Sequence, residues 1–191
     1  MANPTWLIAA LGNPGSEYEK TRHNIGVMVA DTLLERHRAA WSRDKKSQSM
    51  LAKIVLPSAN VIVCFPQTYM NRSGQSVLAV SQFYKIPTDN IIALHDELDI
   101  PFEAIRMKKG GGDNGHNGLK SIRSSLGSGE WFRVRLGIGR PPGQQDPANF
   151  VLKPFSAAEA KVLGVMCERA ADAIETLITD GLEIAQSRYN Q

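Results

Sequence analysis

Hydrophobic and polar positions along this chain switch repeatedly between a strand-like and a helix-like period, and the switches predict its elements. Thr5–Leu11 is a short apolar run closed by Gly12-Asn13-Pro14-Gly15, which predicts a buried strand ending in a turn. From Asn24 to about Arg38, Ile25, Met28, Val29, Leu33 and Leu34 recur at helical spacing. Leu51–Leu56 and Asn60–Phe65 are β-rich runs around Pro57-Ser58-Ala59 and predict a hairpin. Gly74–Tyr84 predicts a helix with Val77, Leu78, Val80 and Phe83 mostly on one face. Ile91–Leu94 reads as a buried strand and Ile105–Lys108 as a half-exposed one. A further helix is expected over Asn117–Leu126, with Leu119, Ile122 and Leu126 inward. Trp131–Ile138 alternates Phe132, Val134, Leu136 and Ile138 with Arg133, Arg135 and Gly137, the pattern of a one-sided strand. Ser156-x-x-Glu159 is a capping box that opens a last helix, running through Val162, Leu163, Met166, Ala170, Ile174, Leu177 and Ile178 to Gly181. Alternating strands and helices imply an α/β layered fold, a mixed, mostly parallel twisted sheet flanked by helices. In such sheets the ligand crevice lies beyond the carboxyl ends of the strands.

Composition narrows the class. At 191 residues, with no repeat and no low-complexity linker, the chain reads as a single domain over 1–191. A chain of that size buries roughly 70% of its unfolded surface, so it needs no disulfide or structural metal to hold a core. Apolar residues make up 42% and charged residues 21%, which argues against wholesale disorder. No apolar run approaches the ~20 residues of a membrane span. The run at Trp6–Leu11 has no basic residue before it, so it reads as a strand and not as a signal peptide. Cys64 and Cys167 lie far apart with no Cys-x-x-Cys spacing, which removes zinc ribbons and redox motifs and makes the cytoplasm the default compartment. The formal net charge is only +3, but from Glu103 to Gly143 eight basic residues face three acidic ones. The rest of the chain is therefore net acidic, a segregation that suits a polyanion-binding face as well as a solvated one.

Candidate chemistry clusters where strands finish. Asn13, Tyr18 and His23 follow the first strand; Gln67, Thr68, Tyr69, Met70 and Asn71 follow the Asn60–Phe65 strand; His95, Asp96, Glu97 and Asp99 follow the Ile91–Leu94 strand. A fourth polar group, Asp113-Asn114-Gly115-His116-Asn117-Gly118, lies after the triple glycine Gly110–Gly112. That glycine run suits either phosphate binding by backbone amides or a hinge. No Walker A motif, no Gly-x-Ser-x-Gly elbow and no His-Glu-x-x-His is present, so covalent catalysis is disfavoured. His23, His95, Asp96, Asp99 and His116 include metal-ligating types without a metal-site signature, and neither a metal nor a cofactor is expected. What remains is an imidazole, a carboxylate able to orient it, and several carboxamides. A neutral imidazole can take a proton from water near neutral pH, and a carboxylate on its other nitrogen fixes the tautomer. Carboxamides can donate to an oxyanion and hold a peptide-like group. These residues describe a water-activating hydrolase of an acyl or ester bond, with the substrate unnamed. His95, on the opposite phase of its strand from Asp96, and His37, on a surface helix, are weaker candidates.

The motifs themselves resemble those of the bacterial-type peptidyl-tRNA hydrolases. They are Gly12-Asn13-Pro14-Gly15, Thr21-Arg22-His23-Asn24-Ile25-Gly26, Pro66-Gln67-Thr68-Tyr69-Met70-Asn71-Arg72-Ser73-Gly74, His95-Asp96-Glu97-Leu98-Asp99, Gly110–Gly118 and Arg135-Leu136-Gly137-Ile138-Gly139-Arg140. They occur in the family's order and close to its spacing over the whole chain. The resemblance implies a monomer that cleaves the ester between a peptide and the 3′ ribose of tRNA. It implies His23 as general base, Asp96 as its orienting partner, and Asn13 as the residue separating blocked from free aminoacyl groups. Tyr18, Tyr69, Met70, Asn71, His116 and Asn117 would line the substrate groove, and Lys108 and Arg135 would clamp tRNA phosphate. Tyr69 and Asp113 depart from the residues most common in the family, and no role is carried onto the loop before Asn149. Two rivals remain at this stage, a non-catalytic RNA-binding module on the same fold and a metal-dependent hydrolase. An intact His23–Asp96 pair argues against the first.

Overall fold

A computed structural model describes residues 2–190. Seven strands, β1 (Thr5–Ala10), β2 (Ser42–Asp44), β3 (Ser49–Leu56), β4 (Ala59–Pro66), β5 (Ile91–Glu97), β6 (Ile105–Lys109) and β7 (Phe132–Gly137), form one sheet in the order β2-β3-β4-β1-β5-β7-β6. The four central strands β4, β1, β5 and β7 run parallel, while β2, β3 and β6 pair antiparallel at the edges. The central strands read as continuous apolar runs because both faces are covered. Helix α1 (Ile25–Arg36), with α6 (Leu163–Asp180) and α7 (Leu182–Tyr189), packs on the face built from Ile8, Val63, Ile92 and Val134. On the other face, α2 (Ser73–Phe83) and α3 (Asn117–Leu126) pack over Leu7, Ala9, Ile62, Ile91 and Trp131. The chain thus leaves β1 toward one face and β4 toward the other. This divergence opens a crevice at the carboxyl ends of the central strands.

Several elements differ from the sequence pattern, each for a packing reason. Phe83 is exposed, because α2 instead buries Gly74, Ser76, Val77, Val80 and Ser81. The helix turns its small residues toward α3, and a Cβ on Gly74 would collide with the Ser121 carbonyl oxygen. Strand β7 is not one-sided: Arg133 is fully buried, its guanidinium stacked 3.8 Å over the Trp131 ring. β5 runs three residues past its apolar stretch, to Glu97, because Asp96 and Glu97 pair in register with Leu136 and Gly137 of β7. The capping box at Ser156 and Glu159 forms, but it opens only α5 (Ala157–Ala160); a break at Val162 precedes α6, and Gly181 separates α6 from α7. A short helix, α4 (Pro147–Val151), capped by the Asp146 side chain, stands in the segment that the pattern leaves as a loop.

Candidate active site

The carboxyl ends of β1, β4 and β5 surround a cavity of about 430 Å³. Asn13, His23, Tyr69, Met70, Asn71, Asp96, His116 and Asn117 all line it, so the fold brings together residues from four separate polar clusters. Tyr18 does not line the cavity; its ring stands edge-on to that of Tyr69, with ring centroids 6.5 Å apart.

Asp96 is 4% exposed and accepts two imidazoles, one on each oxygen. His23 Nδ1 lies 2.8 Å from Oδ2, and His116 Nε2 lies 2.8 Å from Oδ1. The two histidines are not equivalent. His116 is the N-cap of α3, and its Nδ1 accepts from the backbone N–H groups of Gly118 and Leu119 at 3.0 and 3.4 Å. The neutral tautomer that satisfies both contacts carries its proton on Nε2 and donates it to Asp96. A proton on Nδ1 would face two N–H donors. His23 has no such cap. Its Nδ1–H points at Asp96, which leaves the Nε2 lone pair toward the cavity. Burial opposes charging of His23, but the Asp96 carboxylate and its hydrogen bond outweigh burial and raise the imidazole above its ordinary pKa. Burial likewise opposes an ionised Asp96, yet the two imidazoles hold it well below the carboxylate range. His95, behind them, is pushed down to about 3 by burial and by His116, so it stays neutral; its Nδ1 donates to the Asp96 carbonyl oxygen.

Among the described residues, His23, Asp96 and His116 form a group whose ligand atoms lie within 4.8 Å of one another and could hold a metal ion. An ion there would need the Nε2 lone pair of His116, and the ring proton would move onto Nδ1, against the α3 cap. Of the other metal-ligating candidates, Asp99 is instead paired with Arg140.

Asn13 is oriented by its neighbours. Its Oδ1 accepts from the Met70 backbone N–H at 2.8 Å, so its NH₂ is the end left to face the cavity. Asn24, 2% exposed, holds the Asn13 backbone from both sides: Asn13 N–H donates to Asn24 Oδ1, and Asn24 Nδ2 donates to Asn13 O, each at 2.9 Å. A Cβ at position 12 would sit 2.8 Å from Asn24 Cγ, which explains the glycine there.

The opposite wall comes from α4 and the residue after it, through Pro147, Ala148, Val151 and Leu152. The residue just before His23 fastens this segment. Arg22 lies 3.9 Å over the Phe150 ring, donates to Phe150 O at 3.3 Å and pairs with Glu159 at 3.2 Å. Sequence patterning gives no sign of this wall. Nor does it assign work to Arg22 or Asn24, although both flank His23 in the Thr-Arg-His-Asn motif; their partners are known only once the chain is folded.

Lys108 and Arg135 lie outside the cavity, in a neighbouring groove of about 340 Å³ that also holds Arg106 and joins the cavity at Glu97 and Asn114. The β6–β7 register pairs Arg106 with Arg135 and Lys108 with Arg133, which puts four cations on one face of the sheet. Burial, followed by Arg135 and Arg133, lowers the Lys108 pKa; burial and Arg106 lower that of Arg135. The Gly110–His116 loop is held over this edge by Arg123–Asp113, at 3.2 Å, and by Asn114, which donates to Glu97 at 2.6 Å and to Asp99. No helix of the described residues is long and apolar enough to cross a membrane.

Known proteins match the chain over nearly its whole length. The peptidyl-tRNA hydrolase family matches residues 7–191. The chain is 53% identical to the peptidyl-tRNA hydrolase of Nocardia farcinica over 184 residues, 96% of this chain and 95% of that one. It is also 53% identical to that of Streptomyces coelicolor, covering 99% and 96%. The crystal structure of peptidyl-tRNA hydrolase from Acinetobacter baumannii superposes with a TM-score of 0.90 at 34% identity, covering 97% of this chain and 96% of that one.

Proposed function

We infer, from the premise that the chain belongs to the peptidyl-tRNA hydrolase family, that it hydrolyses the ester between a peptide and the 3′ ribose of tRNA, with His23 as general base. The observation that carries the residue assignment is the His23 Nδ1–Asp96 Oδ2 contact of 2.8 Å, which turns Nε2 toward the cavity. Nε2 takes a proton from a water molecule as the water oxygen adds to the ester carbonyl carbon. Asp96 stabilises the imidazolium that forms. The bond to the ribose oxygen then breaks, and the same proton passes from Nε2 to that oxygen. Free peptide acid and tRNA leave, and His23 is neutral again. No acyl-enzyme is formed.

The Asn13 NH₂ donates to a carbonyl oxygen, either the developing oxyanion or the first peptide C=O. A free aminoacyl ester lacks the peptide C=O and places an ammonium nearby, so it leaves this buried donor poorly matched. Tyr18, Tyr69, Met70, Asn71, His116 and Asn117 shape the groove around the ester, with His116 acting through Asp96. Lys108 and Arg135 take phosphate of the tRNA body, contacts that supply affinity without reading sequence. Action as a monomer belongs to the same reading. The substrate, a product of translation, supports the cytoplasm as its place of work.

The test is incubation with N-blocked and unblocked aminoacyl-tRNA, with and without a chelator. Hydrolysis of the blocked ester alone, unaffected by chelation, is expected. Chelator-sensitive hydrolysis would favour a metal enzyme, and binding without hydrolysis a pure RNA-binding module.

A further inference from the structure

The segment between β6 and α3 bends twice through left-handed backbone. Gly110 and Gly111 have φ of +73° and +93°, and Asn114 and Gly115 have φ of +46° and +77°. Across the second bend His116 N–H donates to Asp113 O at 2.9 Å, which makes Asp113-Asn114-Gly115-His116 a type I′ turn. The turn delivers His116 to Asp96, while the glycine bend before it leaves the loop free to swing unless something fastens it. Arg123 supplies the fastening. It stands about two turns along α3 from His116, and its Nε donates to both Asp113 carboxylate oxygens, at 3.3 and 3.2 Å. Its Nη2 donates to Gly111 O. The guanidinium occupies a slot left open by Gly129, where a Cβ would collide with it. Buried Arg133 stands 3.8 Å from the same Asp113 carboxylate.

We propose that Arg123 and Asp113 are positioning residues for the hydrolysis, holding the His116 ring in place on Asp96. The proposal rests on the reading of His23 as general base and extends it to two residues that do not line the cavity. The connection is continuous. Arg123 fixes the Asp113 carboxylate, the Asp113 carbonyl oxygen fixes the His116 N–H, and His116 Nε2 reaches Asp96 Oδ1 at 2.8 Å. Asp96 Oδ2 in turn holds His23 Nδ1. Both ends of the loop closure belong to α3, Arg123 within the helix and His116 at its cap. The ion pair therefore ties the loop to the same helix that fixes the His116 tautomer. Asn114 adds a separate tie, to Glu97 and Asp99 at the end of β5, so losing Arg123 loosens the loop without releasing it. With His116 loosened, Asp96 Oδ1 is bonded only part of the time and the carboxylate gains freedom to rotate. The contact that aims His23 Nε2 at the cavity is then held less firmly. Reacting groups are sensitive to such shifts, since a misplacement of about 1 Å can cost ~10²-fold in rate.

The experiment measures single-turnover hydrolysis of N-blocked aminoacyl-tRNA at saturating enzyme, where changes in tRNA affinity drop out. Arg123→Gln, which leaves Asp113 beside buried Arg133, is compared with wild type. His116→Asn/Arg123→Gln is compared with His116→Asn, whose new side chain still caps α3. Solvent exchange of the His116 Nε2 proton is followed by NMR in wild type and Arg123→Gln. The change at Arg123 should lower the saturating rate by about tenfold in the first pair and add little further loss in the second, because the route through the imidazole is already cut. The Nε2 proton should exchange faster in Arg123→Gln. Arg123→Lys, which keeps a charge opposite Asp113, should recover most of the rate. An equal loss in both backgrounds would mean that Arg123 acts on the fold at large, and it overturns the proposal. So does an unchanged rate in Arg123→Gln, or an unchanged proton exchange. If wild type hydrolyses no ester, the hydrolase reading falls, and faster exchange in Arg123→Gln still shows that the pair holds His116.

Discussion

His116 Nε2 lies 2.8 Å from Asp96 Oδ1, on the oxygen that His23 does not use. The carboxylate that orients the proposed base is therefore itself held by a second imidazole, and α3 fixes the tautomer of that imidazole through two backbone N–H groups. A helix start, rather than a third charged residue, completes the arrangement.

That dual role of His116 can be split by substitution. Asn is a good N-cap and Ala a poor one, so His116→Ala should lose about 1 kcal/mol of stability and His116→Asn most of it less. Both variants lose the hydrogen bond to Asp96 Oδ1, and turnover should fall in both. Thermal melts beside turnover assays check this. If Asn restored turnover as fully as stability, His116 would be a cap and nothing more.

The pH dependence follows from the His23–Asp96 pair. A general base works deprotonated, and the His23 pKa is raised above 6.5, so activity should fall with acid along a limb centred above pH 6.5. In Asp96→Asn the raising influence of the carboxylate is gone while burial remains, so the limb should move to lower pH as the maximal rate drops. Profiles of kcat/KM for both proteins decide the matter. An unmoved limb would detach the titrating group from Asp96.

Asn13→Asp tests the orientation of the carboxamide. The new carboxylate can still accept from Met70 N–H, but it presents no donor to the cavity. Hydrolysis of N-blocked esters should fall by about 10²-fold or more, as for loss of an oxyanion donor. The margin over unblocked esters should shrink with it, because the acid tolerates an ammonium. Retained selectivity would place the discrimination elsewhere in the cavity.

The basic groove predicts a salt effect. Lys108→Ala and Arg135→Ala should each weaken binding of whole tRNA and flatten the plot of log affinity against log salt by roughly 0.7–0.9. Minimal esters lacking the tRNA body should be hydrolysed nearly as before. Identical slopes in wild type and variants would make both residues ordinary surface charges.

Much of this arrangement is legible in the sequence, because polar clusters at strand ends in an α/β chain have only one place to meet. Asn13, His23, Asn71, Asp96 and Asn117 announce themselves that way. Local pattern fails where a long-range partner overrides it. Arg133 has the alternation of a solvent-facing residue, yet Trp131 covers it. β5 carries His95, Asp96 and Glu97 inside a strand because β7 pairs with all three along one side and the two imidazoles bond the Asp96 carboxylate. Helix α4 is only five residues long, too short for periodicity to register, and its position depends on Arg22 reaching Phe150 across the fold.

The central claim is that His23 activates water for ester hydrolysis. Its most direct test is single-turnover hydrolysis of N-blocked aminoacyl-tRNA by His23→Ala at saturating enzyme, with tRNA binding measured in parallel. The predicted result is a fall in rate of about 10²–10⁴-fold with affinity for tRNA retained. A rate near that of wild type, with the same acid limb, would contradict the assignment of His23.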